Sequence, residues 1–120
     1  MRATEIMISD YLSYKGQIIK VASITKKKVG YHIKDNEHRM HYARLCECKP
    51  IHIIPEILEK NGWELHDDVF INKDENISNI IFSTSGKFIL GGVFVIEYVH
   101  QLQQYLRLDG NIEFANNLKV

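Results

Sequence analysis

Apolar and polar residues follow one another in short runs along the first part of the chain, the pattern of half-buried strands rather than helices. Asp10 to Tyr14, Gln17 to Ile24, Val29 to Lys34 and Arg39 to Leu45 are rich in Ile, Val, Tyr and Thr. Lys15-Gly16, Lys26-Lys27-Lys28 and Asp35-Asn36-Glu37 separate them as turns. In Tyr31-His32-Ile33-Lys34 every second residue is apolar, so one face of that strand is expected to be buried.

The pattern changes at Pro50. Pro55-Glu56-Ile57-Leu58-Glu59-Lys60-Asn61-Gly62 predicts a short helix, with proline in the first turn, acid at the N-terminal end, Lys60 at the C-terminal end and Gly62 as the left-handed cap. Ile54 is a poor N-cap. Strand-like runs return at Val69 to Asn72, Ile77 to Ser83, Lys87 to Leu90 and Val93 to Tyr98, with Ser83-Thr84-Ser85-Gly86 and a two-residue hairpin at Gly91-Gly92 between them. Tyr98 to Leu108 predicts an amphipathic helix with Val99, Leu102 and Leu106 on its apolar stripe and His100, Gln101, Gln103, Gln104 and Arg107 opposite. Gly110 stops it, and Ile112-Glu113-Phe114 in the polar tail is expected to add an edge strand. The expected fold class is therefore α+β: a small SH3-like antiparallel β half, then a short helix, a β meander and a C-terminal amphipathic helix. Residues 1–50 form a basic β-rich lobe and residues 51–120 an α+β lobe, together one compact domain.

Charge is divided along the chain in a way the overall balance hides. The 120 residues carry 15 Lys/Arg and 15 Asp/Glu, a net charge of zero. Residues 15–50 nevertheless hold a balance of +6, and residues 51–120 a balance of −5. The basic half interleaves Lys26, Lys27, Lys28, Lys34, Arg39 and Arg44 with Tyr31 and Tyr42. Cations hold phosphates and exposed rings stack on bases, so these eight residues are the candidate nucleic-acid site. The plainer reading is that the lysine run is a solvated turn or guards a strand edge. A pI near 7 lacks the strongly basic footprint of a dedicated nucleic-acid binder.

Other chemistry is less well supported. His38-x-x-His41 and Cys46-x-Cys48 supply four potential zinc ligands, but a C-x-C pair on a strand aims its sulfurs at opposite faces. Neither a metal nor a cofactor is expected. Both cysteines are expected to be reduced and partly buried, as in a cytoplasmic protein. Asp67-Asp68 and Asp74-Glu75 read as loop charges, and no nucleophile elbow, HExxH motif or phosphate-binding glycine loop is present, so an enzyme is not expected. The longest apolar run, Phe88 to Ile96, is far short of a membrane span, and no signal peptide is visible at Met1-Arg2-Ala3-Thr4-Glu5. His100, Gln101 and Gln104 offer an uncharged polar helix face, a second candidate surface for a protein partner or a homo-oligomer.

Pro55 to Trp63, Ile96-Glu97-Tyr98-Val99-His100-Gln101-Leu102-Gln103 and the opening Ile8 to Val21 together resemble a group of short uncharacterised proteins of gut-bacterial genomes, prophages and conjugative elements. That group shows a proline-led helix with a glycine cap and a Tyr-Val-His-Gln-Leu-Gln helix start. Residues 26–50, with the lysine turn and the cysteines, depart from its pattern. The resemblance implies a mobile-element context and no mechanism. The chain is thus expected to be a non-enzymatic binding or accessory protein: either a nucleic-acid-associated module working through its basic lobe, or a protein adaptor or phage or mobile-element assembly component working through the Gln-rich helix face.

Overall fold

In the computed structural model, which describes residues 1–34 and 37–120, Lys15 and Gly16 both have positive φ, 49° and 77°. That is what a two-residue type I′ hairpin requires, and it joins β1 (Tyr11–Tyr14) to β2 (Gln17–Lys20) with Tyr14 opposite Gln17. β6 (Cys48–Lys49) pairs with the other edge of β1, giving a three-stranded sheet in the order β2-β1-β6. A second three-stranded sheet has the order β3-β4-β5, from Ser23–Ile24, Lys28–Tyr31 and His41–Arg44.

The continuous strand expected over Gln17 to Ile24 is divided between these sheets. Val21 N donates to Asp10 O at 2.9 Å on one side, and Ala22 N donates to Gly30 O at 2.7 Å on the other. The chain therefore changes sheet at Val21-Ala22. Leu12, Ile19 and Cys48 from the first sheet and Val29 and Ala43 from the second share one buried cluster with Ile6, Val21 and Leu45. Among the described residues both sheets are open, and the SH3-like half does not close into a barrel. β3 and β6 are two residues long, too short to carry a hydrogen-bond ladder around a barrel. The turn expected at Asp35-Asn36-Glu37 lies outside the described residues except for Glu37.

These elements make up one compact unit, Met1–Ile51, and a second spans His52–Val120. In the second, α1 (Pro55–Lys60) starts on its proline, with Ile57 N bonded to Ile54 O in place of a side-chain cap. Gly62 closes it at φ 95°, where a Cβ would stand 3.1 Å from Lys73 Cε and 3.2 Å from Asn72 Oδ1. Next comes an antiparallel meander of five strands: β7 (Trp63–His66), β8 (Val69–Asn72), β9 (Ile80–Phe82), β10 (Phe88–Leu90) and β11 (Phe94–Ile96). The strand at Trp63–His66 is not among those the pattern predicts, because Glu64 and His66 alternate with only Leu65 beyond the tryptophan. The β10–β11 hairpin sets Leu90 opposite Phe94, so its loop has three residues, Gly91 to Val93, rather than the two expected.

Two helices follow, α2 (Val99–Leu108) and α3 (Ile112–Asn116). Strand alternation puts Trp63, Phe70, Ile80, Phe88, Leu90, Phe94 and Ile96 on one face of the sheet. The helices lie on that face: Phe94 meets Tyr105 of α2 with ring centroids 4.4 Å apart, and Trp63 meets Phe114 of α3 edge-on at 5.6 Å. Trp63, Val99, Leu102 and Leu106 are all fully buried there.

α3 replaces the edge strand expected at Ile112–Phe114. Asn111 O accepts from Ala115 N, and Ala115 and Leu118 are buried at helical spacing while Ile112 stays exposed. This helix also corrects the reading of α2. His100 and Gln103, assigned to a solvated face, are both buried, Gln103 against α3 and His100 with its ring stacked on Tyr98. Gln103 Nε2 donates to Ala115 O at 3.0 Å.

Candidate nucleic-acid interface

The lysine run is held in shape by Thr25. Thr25 N donates to Lys28 O at 2.9 Å, and Lys28 N donates back to Thr25 Oγ1 at 3.1 Å, closing the loop between β3 and β4. Lys26 and Lys27 thus form the loop, whereas Lys28 begins β4. The register then pairs Lys28 directly with Arg44 of β5 and Gly30 with Tyr42. Leu45 N reaches back to Lys27 O at 2.9 Å and fastens the lysine loop to the turn that follows Arg44.

By alternation Lys28, Gly30, Tyr42 and Arg44 occupy the outer face of this sheet, and Val29 and Ala43 the core face. Tyr42 is 59% exposed. Gly30 contributes no side chain beside it, and Ser23 Oγ and Met40 Sδ close over the glycine. Lys26, Lys27, Lys28 and Arg44 line an open cavity of about 430 Å³ together with Met1, Leu45 and Cys46. Among the described residues no carboxylate forms an ion pair with any of these four cations. Like charges set directly opposite on a sheet destabilise it, by about 0.2–1 kcal/mol per pair. The Lys28–Arg44 pair therefore works against the fold unless an anion sits between the two side chains.

Lys34 and Arg39 are exposed in the β4–β5 connection, at the opposite end of these strands from the cavity, roughly 10 Å along β4. Glu37 shapes the described part of that connection. Its carboxylate accepts from Ile33 N at 3.1 Å, from Lys34 N at 3.4 Å and from His41 Nε2 at 3.2 Å. The His41 bond, followed by the backbone bonds, holds its pKa below the ordinary 4.5, and desolvation opposes them. His32 Nδ1 lies 2.9 Å from Arg39 O.

Tyr31 differs from the expectation. It is on the core face, half-buried, with its ring 6.1 Å from Tyr14 and 5.7 Å from His41. Odd-numbered positions of β4 point inward, so Tyr31 shares the side of Val29 and is not placed to stack on a base, while Tyr42 is. Sequence spacing alone cannot bring Arg44 to the lysine loop; the strand register does. Cys46 was missed as a cavity residue because it sits in a 3-10 turn, Leu45–Glu47, rather than on a strand. It is exposed, whereas Cys48 is buried in the core. Burial, helped by Glu47 and Cys46, raises the pKa of the Cys48 thiol. Among the described residues no three His, Cys, Asp or Glu side chains gather closely enough to hold a metal ion.

The helix face proposed for a partner is largely consumed within the second unit. His100 is buried, its ring stacked on Tyr98 at 5.8 Å and 9°. Gln101 Oε1 accepts from Glu97 N at 2.8 Å and Tyr98 N at 3.0 Å, capping the start of α2. Gln104 is half-buried. No described helix is long and apolar enough to cross a membrane. In comparison with known proteins, the chain matches no family, no curated protein and no solved structure.

Proposed function

We propose that this is a non-enzymatic accessory protein that associates with nucleic acid through the outer face of β4 and β5. The observation that carries the reading is the Lys28–Arg44 pair, without an ion-pair partner among the described residues, flanked by Lys26 and Lys27 in one cavity and by exposed Tyr42 on the same face. In this reading phosphates occupy the cavity, a base stacks on Tyr42, and Lys34 and Arg39 extend the track past the far end of the strands. Two open three-stranded sheets around one core, with the chain changing sheet at Val21-Ala22, support an SH3-like arrangement of the first unit. The two helix motifs support a mobile-element origin and, with it, a place in the cytoplasm.

The test is fluorescence anisotropy with a labelled single-stranded oligonucleotide at low salt. Tyr42→Ala should weaken binding by roughly 5- to 100-fold, the worth of one stacked base. Tyr31→Phe should leave binding unchanged. Absence of binding by the unmodified protein would refute the reading, and equal losses from the two tyrosines would move the site off this face.

A further inference from the structure

The sheet of the second unit has a second face, which the helices do not cover. On it the register lines up one side chain from each of four neighbouring strands: Val69 opposite Ile81, Ile81 opposite Ile89, and Ile89 opposite Val95. All four are apolar and β-branched. Ile81 is 38% and Val95 60% exposed, and Ile71 stands beside the row at 43%. A solvated sheet face ordinarily alternates to polar residues here, so an unbroken apolar row across four strands marks a contact surface.

Its surroundings are acidic. Glu64, opposite Ile71, lies on the same face, and the Asp67-Asp68 turn adjoins the Val69 end. At the Val95 end a cleft of about 390 Å³ is lined by Val95, Ile96, Glu97, Lys87, Phe88 and His52, among others. Glu64, Asp67, Asp68 and Glu97 thus border the row, with Lys87 in the cleft and His66 Nε2 3.8 Å from Glu64 Oε1 beside Val69, within a segment whose balance over residues 51–120 is −5.

We infer that this row docks a basic amphipathic helix of a protein partner, with a Lys or Arg of that helix entering the cleft toward Glu97. Three strand spacings make the row about 14 Å long, the reach of two to three helical turns. A strip that long and one side chain deep covers far less than the roughly 800 Å² per partner of a standard interface, which speaks against a stable dimer of this chain. A second copy would also bring carboxylates against carboxylates, whereas a cationic helix complements them. The inference is independent of the nucleic-acid reading, which concerns only the first unit.

The probe is a synthetic fourteen-residue Leu/Lys amphipathic helix, with its Leu/Glu counterpart as control, added to the isotope-labelled full chain. The Leu/Lys peptide should shift the amide resonances of Val69, Ile81, Ile89 and Val95, and the Leu/Glu peptide should not. Ile81→Thr with Ile89→Thr should weaken binding about tenfold or more, because two apolar contacts are lost. Glu97→Gln should weaken it severalfold while leaving Trp63 emission, the check on folding, unchanged. Shifts mapping elsewhere, equal binding of both peptides, or no binding of either would overturn the inference. So would a dimer seen by sedimentation that the Ile81/Ile89 variant abolishes, since the occupant would then be a second copy.

Discussion

Replacing Trp63 by phenylalanine removes a single part-buried hydrogen bond in the second unit. Trp63 is 1% exposed, its Nε1 donates to Ser78 O at 3.0 Å, and its ring meets Phe114 edge-on at 80°. Phenylalanine keeps an aromatic partner for Phe114 but removes the donor and part of the ring volume. The partly buried Ser78 carbonyl left without its donor costs about 1–2 kcal/mol, and the residual cavity adds roughly 1 kcal/mol. The expected loss is therefore about 2–3 kcal/mol, a fall in Tm of roughly 10–20 °C for a unit of this size. Since the chain has one tryptophan, the variant is followed by far-UV circular dichroism in urea, and emission of the unmodified protein reports the second unit alone. Trp63→Ala should cost at least about 3–5 kcal/mol, a large share of the total stability of a small unit. A loss within about 0.5 kcal/mol for Trp63→Phe, the range of an ordinary surface change, would refute both the burial and the hydrogen bond.

Further outcomes follow from other contacts. Asn61 Nδ2 donates to Ile57 O and Lys119 O, each at 2.7 Å, and Oδ1 accepts from Lys119 N at 2.7 Å, so Asn61→Ala should cost about 1–3 kcal/mol and speed amide exchange at Lys119. With a disulfide reagent near neutral pH, one thiol, Cys46, should react at once and Cys48 only after denaturant, because burial both shields Cys48 and raises its pKa. Glu37 has a depressed folded-state pKa, so its contribution is present above 4.5 and is lost as pH falls through the lower folded value. The protection of the Ile33 and Lys34 amides, relative to their intrinsic exchange at each pH, should accordingly fall only below pH 4.5, and Glu37→Gln should remove that pH dependence.

The sequence reveals those elements whose local signals agree with their surroundings. The Lys15-Gly16 turn, the proline-led helix and Val69–Asn72 have strong local signals, and each forms where its pattern puts it. Ile112–Phe114 does not, since three residues cannot distinguish a strand from a helical turn; packing against Trp63 and α2 decides it. That error propagates to Gln103, because a helical wheel assumes one covered side and α2 has two. In the candidate site, the lysine run and the cationic character of Arg44 are visible in the sequence. Their convergence depends on the β4–β5 register, and so does the opposite fate of Tyr31 and Tyr42. The apolar row of the second unit is hidden for the same reason, as each strand contributes one residue to it.

The most direct test of the nucleic-acid reading is the salt dependence of oligonucleotide binding by the unmodified chain and by the variant with Lys26, Lys27 and Lys28 all changed to Ala. Each phosphate contact releases counterions, contributing a slope of about 0.7 to log affinity against log salt for a single strand. Three lost contacts should therefore flatten the slope by about two units, with base preference barely altered, since phosphate contacts carry no sequence information. The two proteins giving the same slope, or neither binding at low salt, would contradict the assignment of this cavity to a nucleic-acid backbone.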